Sequence, residues 1–144
     1  MTAAKNTLIV VAGPTAVGKS DVAVALAKQF DTAILSVDAR QCFKEMSIGT
    51  AKPPSSILKE IPHYFIDSHS LHEEMSAGIF ERYAMNALNT IFAQKNIAIA
   101  CGGTGLYLNA LLYGMDEMPN IDKAIEQTVN ETYQKEGISY LQQE

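Results

Sequence analysis

Apolar positions in this chain follow two rhythms, continuous runs and a three-four repeat. Thr7-Leu8-Ile9-Val10-Val11-Ala12 is an unbroken, β-branched run that ends at Gly13-Pro14, the pattern of a strand buried on both faces in a parallel sheet. Ala33 to Val37 predicts a second such strand with Asp38 at its carboxyl end, and His63 to Asp67 predicts a third. Ile97 to Cys101 predicts a fourth, closed by Gly102-Gly103. Between the first two runs, Val22, Ala23, Ala25, Leu26 and Phe30 form a helical stripe that Asp31 closes. Pro53-Pro54 breaks the chain ahead of a short helix over Ser55 to Glu60. Ile79, Phe80, Tyr83, Ala84, Ala87, Leu88, Ile91 and Phe92 mark a long amphipathic helix, which Ser76 can cap. A further helix is predicted from Leu106 to Tyr113, and a mostly polar one over residues 121–136.

Strands alternating with helices predict a doubly wound α/β fold, with ligands at the carboxyl ends of the strands. The Gly13 loop, Asp38 and Thr104 all fall at that edge. The composition changes after Tyr113, dividing the chain into a core over residues 1–114 and a second segment over 115–144. Residues 1–114 carry nine Lys/Arg against nine Asp/Glu, whereas residues 115–144 carry two against seven, so the net charge of −5 sits in the second segment. Binding a nucleic-acid backbone takes several Lys or Arg contacts to phosphate, which this charge balance does not supply. No apolar run reaches bilayer length, and residues 1–6 do not read as a secretory signal. A cytoplasmic, monomeric protein is expected, with Cys42 and Cys101 as reduced thiols. His69 and His72 read as part of a solvated loop rather than a metal site. Met46, Met75 and Met85 read as packing residues, one or two of which could line an apolar ligand pocket.

The chemistry is concentrated in Gly13-Pro14-Thr15-Ala16-Val17-Gly18-Lys19-Ser20, which matches G-x-x-x-x-G-K-[S/T]. Such a loop aims successive backbone N–H groups into one concavity at a helix start. Lys19 brings a mobile charge to the outer phosphate, and the Ser20 hydroxyl can ligate Mg²⁺. The loop alone leaves open whether the diphosphate belongs to a nucleotide or to another molecule.

GPTAVGKS, SVDARQCFKEMSIGTAKP (36–53), PHYFIDS (62–68), SAGIF (76–80) and GGTGLYLNALLYG (102–114) together resemble the tRNA dimethylallyltransferase family, also called the isopentenyl-diphosphate:tRNA transferases. The order and spacing match along residues 7–114, and GTAKP and GGTGLY are the specific segments. The resemblance implies a P-loop NTPase-like parallel sheet with helices on both faces, followed by the start of a helical insertion domain over 115–144. It implies transfer of a dimethylallyl group from dimethylallyl diphosphate to N6 of adenosine-37, in the anticodon loop of tRNA, with Mg²⁺ as cofactor. It makes Asp38 the general base and puts Thr104 where nucleophile and diphosphate meet. Asp38, Ala39, Arg40, Gln41 and Thr104 would contact tRNA, and the Gly13–Ser20 run would hold the diphosphate. Three positions depart from the family pattern: Ser20 stands for threonine, Ala39 for serine, and Glu126 for a tRNA-contacting arginine. A small-molecule P-loop kinase, an adenylate prenyltransferase and an inactive nucleotide-binding fragment are the competing readings. Arg40 and Arg82 are the only arginines, too few for the usual phosphate grip of a kinase.

Overall fold

The computed structural model describes residues 5–116, 119 and 121–142. Ten elements follow one another: β1 (Thr7–Ala12), α1 (Lys19–Gln29), β2 (Ile34–Val37), α2 (Ser55–Glu60), β3 (His63–Tyr64), α3 (Ala77–Phe92), β4 (Ile97–Gly102), α4 (Gly105–Tyr113), α5 (Lys123–Glu136) and α6 (Ile138–Leu141). All strand pairs are parallel, in the order β1-β4-β2-β3. The two longest apolar runs, β1 and β4, lie side by side over six residues, and β4 then pairs with β2 so that Val37 faces Gly102.

Alternate side chains of the strands point to opposite faces, and each face carries its own core. On one side Ile34 and Ile99 pack with Ala23 and Ala27 of α1. On the other, Leu35, Val37, Ala98 and Ala100 pack with α3 and α4. The expected parallel sheet with helices on both faces is therefore observed. Helix α3 begins where Ser76 Oγ accepts the Ile79 N–H at 3.2 Å. It buries Phe80, Leu88 and Ile91, each contributing about 1.5–3 kcal/mol. Phe80 stacks on Tyr107 of α4 at 4.5 Å and 11°, and Phe65 meets Phe80 edge-on at 4.9 Å.

Three expectations need correction. β1 reads as a strand buried on both faces, but no strand lies beyond it among the described residues, and at this sheet edge none of its residues is fully buried. The third strand stops after Tyr64 because Phe65 (φ 63°) and Asp67 (φ 49°) turn into the left-handed region. Extended pairing cannot continue through that geometry, and Phe65 adopts it with its ring fully buried in the aromatic cluster. His69 is half-buried rather than solvated. Its ring lies edge-on to Phe65 and Tyr83, and Nδ1 is 2.8 Å from Ser68 Oγ. His72 is exposed, as expected.

Helix α5 starts at Asp122, whose carboxylate accepts the Ala124 N–H at 3.0 Å, and buries no residue. Ile125, Val129 and Tyr133 recur every four residues on it and are all exposed, so this helix has more of an apolar stripe than its polar composition suggests. Glu126 sits in its first turn, where a negative charge favours the helix dipole. No helix of the described residues is long and apolar enough to cross a membrane.

Candidate active site

The chain leaves β1 through Gly13 and enters α1 with Gly18 at the N-cap, in the left-handed region (φ 83°). Ala16 is also left-handed (φ 65°), and these reversals give the loop its concave shape. The loop forms one wall of an open cleft of about 480 Å³. Gly13, Pro14, Thr15, Ala16, Gly18, Lys19 and Ser20 all line it. Val17 does not: its side chain is exposed and packs back towards Gly13. Lys19 reaches over the loop, its ammonium donating to the Pro14 carbonyl.

The second wall is the end of β4. A Cβ on Gly102 would lie 2.0 Å from the Val37 carbonyl oxygen, and one on Gly103 would lie 2.8 Å from that of Gly13. No side chain fits at either point, so the double glycine lets β4 close against both β2 and the phosphate loop. Thr104 follows and holds the N-cap position of α4. Its Oγ1 accepts the backbone N–H of Ala39 at 3.0 Å, and its own N–H donates to Val37 O at 3.3 Å.

Asp38 leaves the end of β2 into the same cleft. Its Oδ1 accepts the N–H groups of Arg40 (2.9 Å) and Gln41 (3.3 Å), forming an Asx turn. Oδ2 has no hydrogen-bond partner among the described residues. Cap and base are therefore compatible roles for one carboxylate. Arg40 is exposed at the rim. Ala39 is not on the cleft wall; it packs against the larger core and presents its N–H to Thr104.

The third wall is the segment Gly49-Thr50-Ala51, part of GTAKP. The motif flagged this segment in the sequence, but nothing in its residue types assigned it a place in the site. Cys101 also lines the cleft. Burial pushes its thiol above the ordinary cysteine value, with the Lys19 charge acting the other way. Cys42 is pushed up to about 11, chiefly by burial. In both, burial favours the protonated thiol over the thiolate. Met46, Met75 and Met85 are absent from the cleft walls. Among the described residues, no group of three or more His, Cys, Asp or Glu is placed to hold a metal ion.

Residues 41–144 match the family model described as IPP transferase. The tRNA dimethylallyltransferase of Cytophaga hutchinsonii is 48% identical over 134 residues, covering 93% of this chain and 44% of that protein. The fold is similar to that of a tRNA delta(2)-isopentenylpyrophosphate transferase from Staphylococcus epidermidis, with TM-score 0.72 and 35% identity over 91% of this chain and 42% of that one. It is also similar to a full-length tRNA isopentenylpyrophosphate transferase from Bacillus halodurans, with TM-score 0.75 and 30% identity over 95% of this chain and 46% of that one. The chain thus spans less than half the length of these relatives. Sequence and fold agree along nearly all of that span, and the chain belongs to the IPP transferase family.

Proposed function

We propose that this cleft is the diphosphate site of a tRNA prenyltransferase, which moves a dimethylallyl group from dimethylallyl diphosphate to N6 of adenosine-37 in the anticodon loop. One observation carries the reading: the phosphate loop, a carboxylate with a free oxygen and a threonine hydroxyl open onto one cleft. Family membership supports the same assignment. In this reading residues 1–114 are the diphosphate-binding core, and α5 and α6 begin a helical insertion. The exposed Ile125, Val129 and Tyr133 stripe suits a helix that packs against more protein.

An adenine amino group is a weak nucleophile because its lone pair is delocalised into the ring. As the bond from N6 to the allylic carbon forms, Asp38 Oδ2 takes the N6 proton. The bond from that carbon to the diphosphate oxygen breaks, and the electron pair leaves with the diphosphate. Lys19, the loop N–H groups and the Thr104 hydroxyl meet the charge that develops there. The base must leave its stack to reach the cleft. Mg²⁺ fits the donor set, since it is held by one or two protein oxygens plus phosphate and water, and Ser20 faces the cleft. When bound it would neutralise phosphate charge.

Calorimetry with dimethylallyl diphosphate and with ATP, each with Mg²⁺, tests the assignment. The prenyl ligand should bind more tightly at equal concentration. Tight ATP binding with none of the prenyl ligand would sink the transferase reading in favour of a kinase.

A further inference from the structure

We infer that Gln41 is a positioning residue whose carboxamide is the strut holding Thr50-Ala51 as the third wall of the cleft. The functional importance of that wall rests on the diphosphate reading above; the strut itself does not. Gln41 Nε2 donates to the carbonyls of Thr50 and Ala51, both at 3.1 Å, and Oε1 accepts from Ser36 Oγ at 2.9 Å. Two backbone carbonyls can only accept, so the orientation of the amide is fixed by its partners. A carboxamide nitrogen carries two N–H donors, and both wall carbonyls lie within hydrogen-bond distance of it.

The segment that Gln41 holds has little else to hold it. No backbone–backbone hydrogen bond involves residues 47–53 among the described residues. Ala51 stands in the left-handed region (φ 50°), a conformation that persists in a residue with a Cβ only when its surroundings enforce it. Three side chains do so. Thr50 Oγ1 donates to Met46 O at 3.0 Å, inside the loop. Lys52 Nζ ties the far end to Phe43 O at 2.6 Å and to Asp67 Oδ1 at 2.5 Å. Gln41 ties the end that faces the cleft. It is anchored in turn on Ser36, which is 3% exposed in the middle of the sheet. The strut thus runs from β2 to the wall, beneath the Asp38 turn.

The test is ¹⁵N relaxation on this chain, together with a titration of inorganic pyrophosphate and Mg²⁺, in the wild type, Gln41→Leu and Ser36→Ala. Gln41→Leu removes all three hydrogen bonds at similar volume. Order parameters of Gly49 to Ala51 should fall from rigid values to below about 0.6, while β4 and the phosphate loop keep theirs. Pyrophosphate affinity should weaken about tenfold. A segment that stays as rigid as in the wild type overturns the strut, whatever happens to binding. A wild type that binds no pyrophosphate, alongside a loosened Gln41→Leu segment, sinks the diphosphate reading and leaves the strut standing. If Gln41→Leu does not fold, Ser36→Ala decides: partial loosening of the same three residues supports the strut, and none overturns it.

Discussion

Thr104 Oγ1 accepts the Ala39 backbone N–H at 3.0 Å, joining two loops 65 residues apart in sequence. A threonine at an N-cap ordinarily turns its oxygen onto its own helix, but this one makes no such bond. The lone pair is used on the Asp38 turn instead, which leaves the hydroxyl hydrogen free to donate. We predict that Thr104→Val, similar in shape but without the oxygen, leaves the Ala39 N–H unsatisfied and costs about 1–3 kcal/mol of stability. Pyrophosphate binding should weaken as well, and Thr104→Ser should restore both. Denaturant midpoints and calorimetry on the two variants check this; a valine variant that matches the wild type would remove Thr104 from the site.

Asp38 offers one oxygen to its turn and keeps the other, so cap and base can be separated by substitution. Asn keeps Oδ1 as an acceptor and loses the basic carboxylate. In a protein of this family with transfer activity, Asp38→Asn should slow transfer by roughly 10²–10⁴ at nearly unchanged stability. Asp38→Ala should in addition lose about 0.5–2 kcal/mol. If Asn transfers at the normal rate per folded molecule, Asp38 is a cap alone.

Glycine substitutions at the end of β4 should rank by the contact each new Cβ makes. Gly105→Ala meets nothing within 4 Å and lies in a helix, so a gain of about 0.5–1 kcal/mol is expected. Gly103→Ala presses on the Gly13 carbonyl at 2.8 Å. It should cost about 1–3 kcal/mol and weaken pyrophosphate binding by moving the loop. Gly102→Ala, 2.0 Å from Val37 O, should fail to give folded protein. Equal melting temperatures across the three would contradict the packing described.

Acid should destabilise the fold in two stages. His63 is half-buried, and burial holds its pKa below the ordinary value, against the opposing hydrogen bond to Ile61 O at 2.8 Å. Its folded pKa is therefore lower than the unfolded one, near 6.5. Its contribution is complete above about pH 6.5 and is lost as pH falls through the folded value. Glu45, lowered first by the Ser70 hydroxyl, and Asp31, lowered first by Lys95, act in the same direction at lower pH. Urea midpoints should begin to drop as pH falls below about 6.5 in the wild type, and His63→Gln should flatten that first stage alone. An unchanged slope in the variant would clear His63 of the effect.

The sequence alone determined the features that rest on local pattern. The run Thr7 to Ala12 read correctly as a strand, though it is half-buried at the sheet edge rather than buried on both faces, and the glycine run after it read correctly as a loop opening a helix. Ser76 announced the start of α3, and the position of Asp38 after an apolar run placed it at the ligand edge. These are legible because burial and backbone angles imprint periodicity and residue type within a few neighbours. The order β1-β4-β2-β3 left no such mark, since which strands pair is settled by contacts far apart along the chain. Phe65 reads as strand but turns left-handed (φ 63°), with its ring packed against Phe80 and Tyr107. The family resemblance put Gln41 against the tRNA, which says nothing of what its side chain meets within the fold. Only the tertiary structure, by bringing Ser36, Thr50 and Ala51 around its amide, shows the hydrogen bonds it makes there. A side chain's partners depend on the fold's non-local geometry, which residue type does not encode.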